Sequence, residues 1–387
     1  MDFDKIIKRR GSNCSKWDMM EKTYGVSAQD GLAMWVADMD FQSPQCVQDA
    51  VKDMHDHGIY GYVGDAPDYH ESIVWWMKER HNWEIDPSWI FTTYGVVNGT
   101  AICLDVFTKT GDGVVLMTPV YHAFHRLINA AGRQIVECKL INNDDHYTLD
   151  IPAYDALMTG NESMLILCSP HNPGGRVWTR QELQDIADFA IRHNLVIVSD
   201  EIHHDLVFPG HTHIPMANIE GIDDRLIILT AASKVFNIPG SKCGNVIIKD
   251  GVMHKKFASR LKALGMEPNT FGTNMTRAAY SVEGAEWVDQ LVDYIDANRK
   301  IFDDGINAIA GLKSMLMEST YLAWVDFSEA DLTQKNFLLK VEKYARIAVN
   351  HGTSFGAGGE NFLRFNIGTP RSIVEKAINR MQKVFAN

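Results

Sequence analysis

Four short segments of this chain end apolar runs with side chains that can do covalent and acid–base chemistry. Lys234 follows the run Leu226-Ile-Ile-Leu229 through two small residues and Ser233, and Gly240 closes the turn six residues later. A lysine at a strand's end beside small residues can reach into a cleft and bond covalently to a carbonyl cofactor. Asp200 ends the run 195–199, Asn172 lies in Ser169-Pro-His-Asn-Pro-Gly-Gly175, and Tyr121 follows Thr-Pro-Val after Met117. Together they supply what pyridoxal 5'-phosphate (PLP) chemistry requires. Asp200 would keep a pyridine nitrogen protonated, Asn172 and His203 would donate to the phenolic oxygen, Tyr121 would cover the ring, and the Lys234 amine would take the aldehyde and later move protons.

The elements that must position these groups are legible as periodicity. Runs at 114–117, 164–168, 195–199, 226–230 and 245–248 are apolar nearly throughout, as strands covered on both faces are. Between them lie helical patterns, the clearest at 179–193. There Thr179 caps, Glu182 completes a capping box, and Leu183, Ile186, Ala187, Ala190 and Ile191 share a face. The reading is an α/β fold, a large domain with a mainly parallel sheet between helices, and ligands in such sheets bind beyond the carboxyl ends of strands. After about residue 275 the pattern changes to a long helix at 285–309, a strand at 321–327, a helix at 333–346 and a last helix after Pro370, which predicts a smaller α+β domain. The expected division is an N-terminal segment over 1–45 that joins the small domain, a large cofactor-binding domain over 46–275 and a small domain over 276–387.

Composition narrows the classes. The chain has 387 residues, 45% hydrophobic and 22% charged, with a net charge of −12. That balance, with no useful basic stretch beyond Lys8-Arg9-Arg10, argues against nucleic-acid binding. The cysteines at 14, 46, 103, 138, 168 and 243 form no C-x-x-C pair and suit a reducing cytoplasm. No apolar run is long enough to span a membrane, and Met1-Asp-Phe-Asp-Lys5 carries no signal-peptide core. The histidines at 203, 204, 211 and 213 raise the question of a metal, but no carboxylate or cysteine is read at a fitting spacing, so His203 is taken as a cofactor neighbour and the others as packed or solvated. Singly, Asp200 has the alternative of a helix cap, Asn172 of a tight turn, Tyr121 of core packing and Arg364 of a surface ion pair. Jointly, at successive strand ends, a shared site is the better account.

The segments Ser169-Pro-His-Asn-Pro-Gly-Gly-Arg176, Val198-Ser-Asp-Glu-Ile-His203, Ser233-Lys-Val-Phe-Asn237 and Phe362-Leu-Arg-Phe-Asn-Ile-Gly368 resemble fold-type I PLP enzymes of the aminotransferase class I/II superfamily. Trp35-Val-Ala-Asp-Met-Asp-Phe41 is similar to the signature of the cystathionine β-lyase/C–S lyase branch, the MalY/PatB type. The resemblance implies an aspartate aminotransferase-like fold with a seven-stranded sheet. It implies Lys234 as the Schiff-base lysine, Asp200 on the ring nitrogen, Asn172 and His203 on the ring oxygen and Tyr121 on the ring face. It further implies that Gly95, Val96, Val97, Ser233 and Lys242 surround the phosphate, that Tyr62 reaches the phosphate of the neighbouring subunit of a homodimer, and that Arg364 grips the substrate α-carboxylate. Trp35 is a candidate substrate contact, with packing at a domain junction as the alternative. Two departures stand out: Lys242 replaces the arginine of most aminotransferases, and Ala-Ala-Ser-Lys-Val replaces the usual Ala-Pro-Ser-Lys-Thr. The implied activity is α,β-elimination of cystathionine or other cysteine S-conjugates to thiol, pyruvate and ammonia. The alternatives are an aminotransferase using the same residues, or a catalytically idle regulatory protein on the same scaffold.

Overall fold

The computed structural model describes residues 1–386. Seven strands form the large sheet: β1 Ile90–Thr93, β2 Gly113–Thr118, β3 Gln134–Lys139, β4 Glu162–Cys168, β5 Val196–Asp200, β6 Leu226–Thr230 and β7 Gly244–Ile247, in the spatial order β1-β7-β6-β5-β4-β2-β3. Pairing is parallel from β6 through β5, β4 and β2 to β3, and only β7 runs antiparallel to its neighbours β6 and β1. Side chains alternate between the faces. Val114 and Leu116 enter one apolar layer with Ile166, Val198, Ile227 and Leu229, while Val115 and Met117 enter another with Leu165, Leu167, Ile197 and Ile228. Helices cover both layers, so the central strands are apolar on both sides and the sequence shows them as unbroken runs.

The expected runs at 114–117, 164–168, 195–199, 226–230 and 245–248 become β2, β4, β5, β6 and β7, with no end moved by more than two residues and 226–230 unchanged. Strands β1 and β3 carry no unbroken apolar run, because these edge strands are partly exposed and mix polar with apolar residues. The capped helix runs over Arg180–Arg192 with both arms of the Thr179/Glu182 capping box in place. The helix expected at 333–346 is instead two pieces, Gln334–Leu338 and a π-helical turn at Leu339–Tyr344.

A second, antiparallel sheet takes Lys313–Ser314, Leu322–Asp326, Phe362–Asn366 and Asn350–His351 in that order. The long helix Val282–Asn307 and the last helix Arg371–Phe385 pack together over it. The N-terminal segment returns to this part of the chain: Leu32–Ala33 pairs in parallel with Ile347–Ala348. No helix of the described residues is long and apolar enough to cross a membrane, and all six cysteines are free of disulfides.

Candidate active site

The C-terminal ends of β2, β4, β5 and β6 open on one cavity of about 190 Å³, and Tyr121, Asn172, Asp200, His203, Ser233 and Lys234 all line it. Gly95, Val96, Val97 and Lys242 complete its far end. The strand-end rule thus gathers every residue that the sequence placed on the cofactor within one chain.

Each side chain is held by its own element. The turn after β4 is locked by Arg176, which is buried and paired with Glu182 at 2.9 Å and Glu318 at 3.1 Å. Its backbone carbonyl accepts from the His171 amide at 2.8 Å. Asn172 is thereby fixed, and its Oδ1 accepts from Arg364 Nη1 at 3.0 Å, which leaves its NH₂ group to donate into the cavity. Asp200 ends β5, and its Oδ1 accepts from the Ile202 amide at 3.1 Å. Burial nevertheless pushes its carboxyl up to about 7, because no cation pairs with it among the described residues. Lys234 donates to the Ala37 carbonyl at 2.9 Å. Burial first, and then the Arg364 charge, bring its ammonium down to about 8, an amine ready to lose a proton near neutral pH.

Arg364 is 2% exposed and pairs with no carboxylate among the described residues. It bonds to Asn172, Asn350 and the Trp35 carbonyl and lies over the Phe355 ring, while its Nε has no partner. Burial lowers it to about 10. A buried guanidinium without a counter-ion is costly unless a ligand supplies the anion.

The cavity fits a phosphorylated pyridine aldehyde. Gly95, at φ 93°, caps the helix Val96–Phe107, so the free amides of the first turn open on the cavity and form an anion site. Gly244 lies so close beneath that a Cβ there would sit 2.8 Å from the Gly95 carbonyl carbon. His203 is buried with Nδ1 unpartnered and its pKa far below the usual histidine range through burial, a neutral donor or acceptor for an uncharged ring substituent. Tyr121 borders the same space with its hydroxyl pushed up by burial, so it stays protonated.

Other expected residues stand elsewhere. Tyr62 is 96% exposed and does not line the cavity of its own chain. The Trp35 indole packs on Tyr24 at 5.2 Å and donates to the Lys16 carbonyl, so it is the Trp35 backbone carbonyl that reaches the site, by holding Arg364. Asp38 and Asp40 are held in an ion network with Arg9 and the fully buried Lys16. The rest of this strap is clamped across Lys234: Asn237 bonds Met39 and Phe41, Asn366 bonds the carbonyls of Val36 and Asp38, and Tyr321 bonds the Ala37 carbonyl. The sequence held no signal for these clamps, since each joins residues far apart in the chain.

The histidine cluster is corrected. Carboxylates do accompany it: Glu201 accepts from His213 Nε2 at 2.9 Å, and Asp205 lies 2.9 Å from His81 and 3.1 Å from His204. His81 comes from the distant helix Pro67–His81, which spacing within 203–213 cannot reveal. Both sets could hold a metal ion by ligand type and proximity. In the set of His81, His204 and Asp205 the two rings stack at 4.1 Å and 22°, a geometry in which one ion cannot lie in both ring planes, and in both sets the carboxylate already bonds an imidazole. The cluster reads as a buried brace for the turn that carries Asp200 and His203.

Comparison with known proteins agrees with this geometry. Residues 32–381 match the family model for aminotransferase class I and II. The chain is 34% identical over 386 residues to the cystathionine beta-lyase PatB of Bacillus subtilis (strain 168), covering 99% of each. Cystalysin from Treponema denticola, whose crystal structure contains a pyridoxal 5'-phosphate cofactor, superposes with a TM-score of 0.95 at 35% identity, covering 100% of this chain and 98% of that one. The PLP-bound C–S lyase from Staphylococcus hominis superposes with a TM-score of 0.91 at 27% identity, covering 100% and 98%. With its strand ends, its lysine and its full-length likeness in agreement, the chain belongs to the aminotransferase class I and II family.

Proposed function

We propose that the chain is a PLP-dependent C–S β-lyase that converts a cysteine S-conjugate and water to a thiol, pyruvate and ammonia. One observation carries the reading: a single cavity joins an amine near its titration point, Lys234, to a buried carboxylate lacking a cation, Asp200, and Arg364, a buried guanidinium lacking an anion, stands behind Asn172 on its wall. The names of the full-length relatives favour elimination at sulfur over amino transfer.

When bound, the cofactor supplies an electron sink for the charge left at Cα. Lys234 would tether its aldehyde, Asp200 would face its ring nitrogen, Asn172 and His203 would meet its ring oxygen, and Tyr121 would cover the ring. The amides of Val96 and Val97 beside Gly95, with Ser233 and Lys242, would take the phosphate. Arg364 takes the α-carboxylate with its planar fork, and its bond to Asn172 keeps the two recognition tasks in register. The substrate's amino group would take the place of Lys234 on the aldehyde, and the freed Lys234 amine would then remove the Cα proton, a role that its lowered pKa supports. The Cβ–S bond then breaks with its electron pair on sulfur, the thiolate takes a proton, and the released three-carbon enamine adds water to give pyruvate and ammonia.

Three further assignments belong to the same proposal. Ile59, Tyr60 and Tyr62 are 72%, 54% and 96% exposed on one short segment, an apolar surface that suits contact with a second copy, and we place Tyr62 at the phosphate of that copy in a homodimer. The domain division is 46–275 and 276–387, with 1–45 attached to the latter through the Leu32–Ala33 pairing. Six disulfide-free cysteines favour the cytoplasm.

The deciding experiment is a product assay on a cysteine S-conjugate. Thiol and pyruvate in equal amounts are expected. A 2-oxo acid that retains every carbon and the thioether would establish the aminotransferase reading, which the family's own description favours. Intact Lys234 and Asp200 speak against an idle scaffold.

A further inference from the structure

A second cavity shares no lining residue with the candidate active site. Its volume is about 400 Å³, enough for a small organic ligand. Residues 6–10, Trp17 and Leu32 line it, together with Thr369, Pro370 and Ile373 where the last helix begins. The chain has a net charge of −12, yet Lys8, Arg9, Arg10 and Lys376 gather here against two acids, Asp30 and Asp40. Both acids are engaged: Asp30 pairs with Arg346, and Asp40 pairs with Arg9 at 2.7 Å and Lys16 at 2.8 Å. Lys8 and Lys376 pair with no acid among the described residues. Arg10 donates to the carbonyls of Gln29 and Gly31, at 2.7 and 2.9 Å, and lies over the Trp17 ring at 5.0 Å. Three cations therefore border the cavity without a counter-ion, beside the apolar side chains of Trp17, Leu32 and Ile373.

The strap 36–41 borders both cavities, through Ala37 at the active site and through Asp40 here. Arg9 holds the strap at three residues. It donates to Asp38 at 3.1 and 2.7 Å, to the Met39 carbonyl at 2.9 Å and to Asp40 at 2.7 Å. The Met39 carbonyl also accepts from Asn237 at 2.9 Å, on the turn that carries Lys234. The Asp40 amide donates to the Gly368 carbonyl at 2.9 Å, beside Thr369 of the cavity. Lys234 itself donates to the Ala37 carbonyl. Through Arg9, the strap is thus hydrogen-bonded from the cavity lining at one end and from Lys234 at the other.

We infer that this cavity is an effector site, which takes a small organic anion with an apolar body and acts through the strap on the cofactor held at Lys234. The anionic end meets cations that lack a counter-ion, and the apolar body covers Trp17, Leu32 and Ile373. An inorganic anion would leave those apolar groups in water, and a neutral apolar molecule would leave the cations unanswered. Lys8 and Lys376 are exposed, so the attraction is that of partly solvated charges and weakens as salt rises. A ligand between residues 8–10 and Lys376 ties the N-terminal segment to the last helix and fixes Arg9 against the strap. The strap then opens less readily over Lys234. The inference concerns regulation of the site in the reading above and rests on cofactor attachment at Lys234, whichever reaction follows.

The test titrates 3-phenylpropionate into the holoenzyme by calorimetry. One saturable site per chain is expected, in the millimolar range or tighter, and it should survive Arg364→Lys, which alters the carboxylate grip of the active site. Acetate lacks the apolar body and 3-phenylpropanamide lacks the charge, so each should bind about tenfold more weakly or worse. Lys376→Glu reverses a charge and Ile373→Trp fills the space, so each should remove the site. The second readout is hydroxylamine, which displaces the lysine amine from the cofactor aldehyde as an oxime and bleaches the visible absorbance. Saturating 3-phenylpropionate should slow that loss severalfold in the parent and in Arg364→Lys, and leave it unchanged in Lys376→Glu. Absence of saturable binding, binding that Arg364→Lys abolishes while both cavity variants keep it, or an unaltered hydroxylamine rate with the site filled overturns the inference. Neither readout depends on pyruvate. A chain that passes both and releases no pyruvate from a cysteine S-conjugate overturns the lyase reading and leaves the effector site in place.

Discussion

Lys234 and Asp200 are set against each other by burial: the same low-dielectric cavity brings the amine down to about 8 and the carboxyl up to about 7. A cationic ring nitrogen opposite Asp200 would reverse the second effect, which ties cofactor binding to the charge of one residue. Lys234→Ala should abolish the visible absorbance of lysine-bound cofactor and essentially all turnover, and borohydride should then label no other lysine. Asp200→Asn keeps the shape and removes the charge, so pyruvate release should fall on the order of 10²–10⁴-fold. The same variant should have the opposite effect on the cofactor-free protein. Unfolded, an aspartate titrates near 3.9; folded, Asp200 titrates at about 7. Below the unfolded value both states hold the proton, and between the two values only the folded state does. Stability therefore falls as pH rises through this window and stays reduced above it. Cofactor-free Asp200→Asn should accordingly be more stable than the parent at pH 8, by about 2–4 kcal/mol, with the gain vanishing near pH 4. Thermal unfolding at the two pH values measures it, and an equal effect at both would show that Asp200 is not the group responsible.

At the scale of elements, three supports keep the site in shape. The strap 36–41 is hydrogen-bonded from Lys234, Asn237, Tyr321 and Asn366, so it roofs the lysine and accepts from it before any ligand arrives. The turn 201–206 is braced by the buried pairs Glu201–His213 and Asp205–His81. The helix Val96–Phe107 is aimed by its close approach to Gly244, where a Cβ would lie 2.9 Å from the Val96 nitrogen, one of the anion-facing amides. Gly244→Ala must push that helix end away, since backbone rather than a flexible side chain is in the path. Cofactor titration should show affinity weakened by tenfold or more, together with a loss of stability of about 1–3 kcal/mol from overpacking. Unchanged cofactor affinity would mean that the phosphate is held elsewhere.

At the scale of the molecule, the exposed segment with Ile59, Tyr60 and Tyr62 stands five residues before the helix Pro67–His81, whose far end carries His81 of the buried brace. A second copy seated on this segment would bury its apolar surface and bring Tyr62 to a site that the single chain leaves without it. Mixing Lys234→Ala subunits with Tyr62→Phe subunits under exchange should give activity above either parent, because one of the two sites in a hybrid dimer carries neither defect. If hybrids form and activity never exceeds the weighted parents, each site is built from one chain.

Sequence by itself determined the α/β class, the central strands, the capped helix at Thr179 and the four strand-end residues Tyr121, Asn172, Asp200 and Lys234. These were legible because burial on both faces of a sheet writes an unbroken apolar run, and because ligands in such sheets meet the chain where those runs stop. The edge strands β1 and β3 were not legible, since half-exposed strands carry a mixed pattern. Tertiary structure alone decided what joins residues far apart in the chain: the bond from Arg364 to Asn172, the strap over Lys234, the union of His81 with Asp205, and the placing of Trp35 behind Arg364 rather than in the cavity. Periodicity records how much of a side chain is buried, but it holds no record of which distant side chain it is buried against.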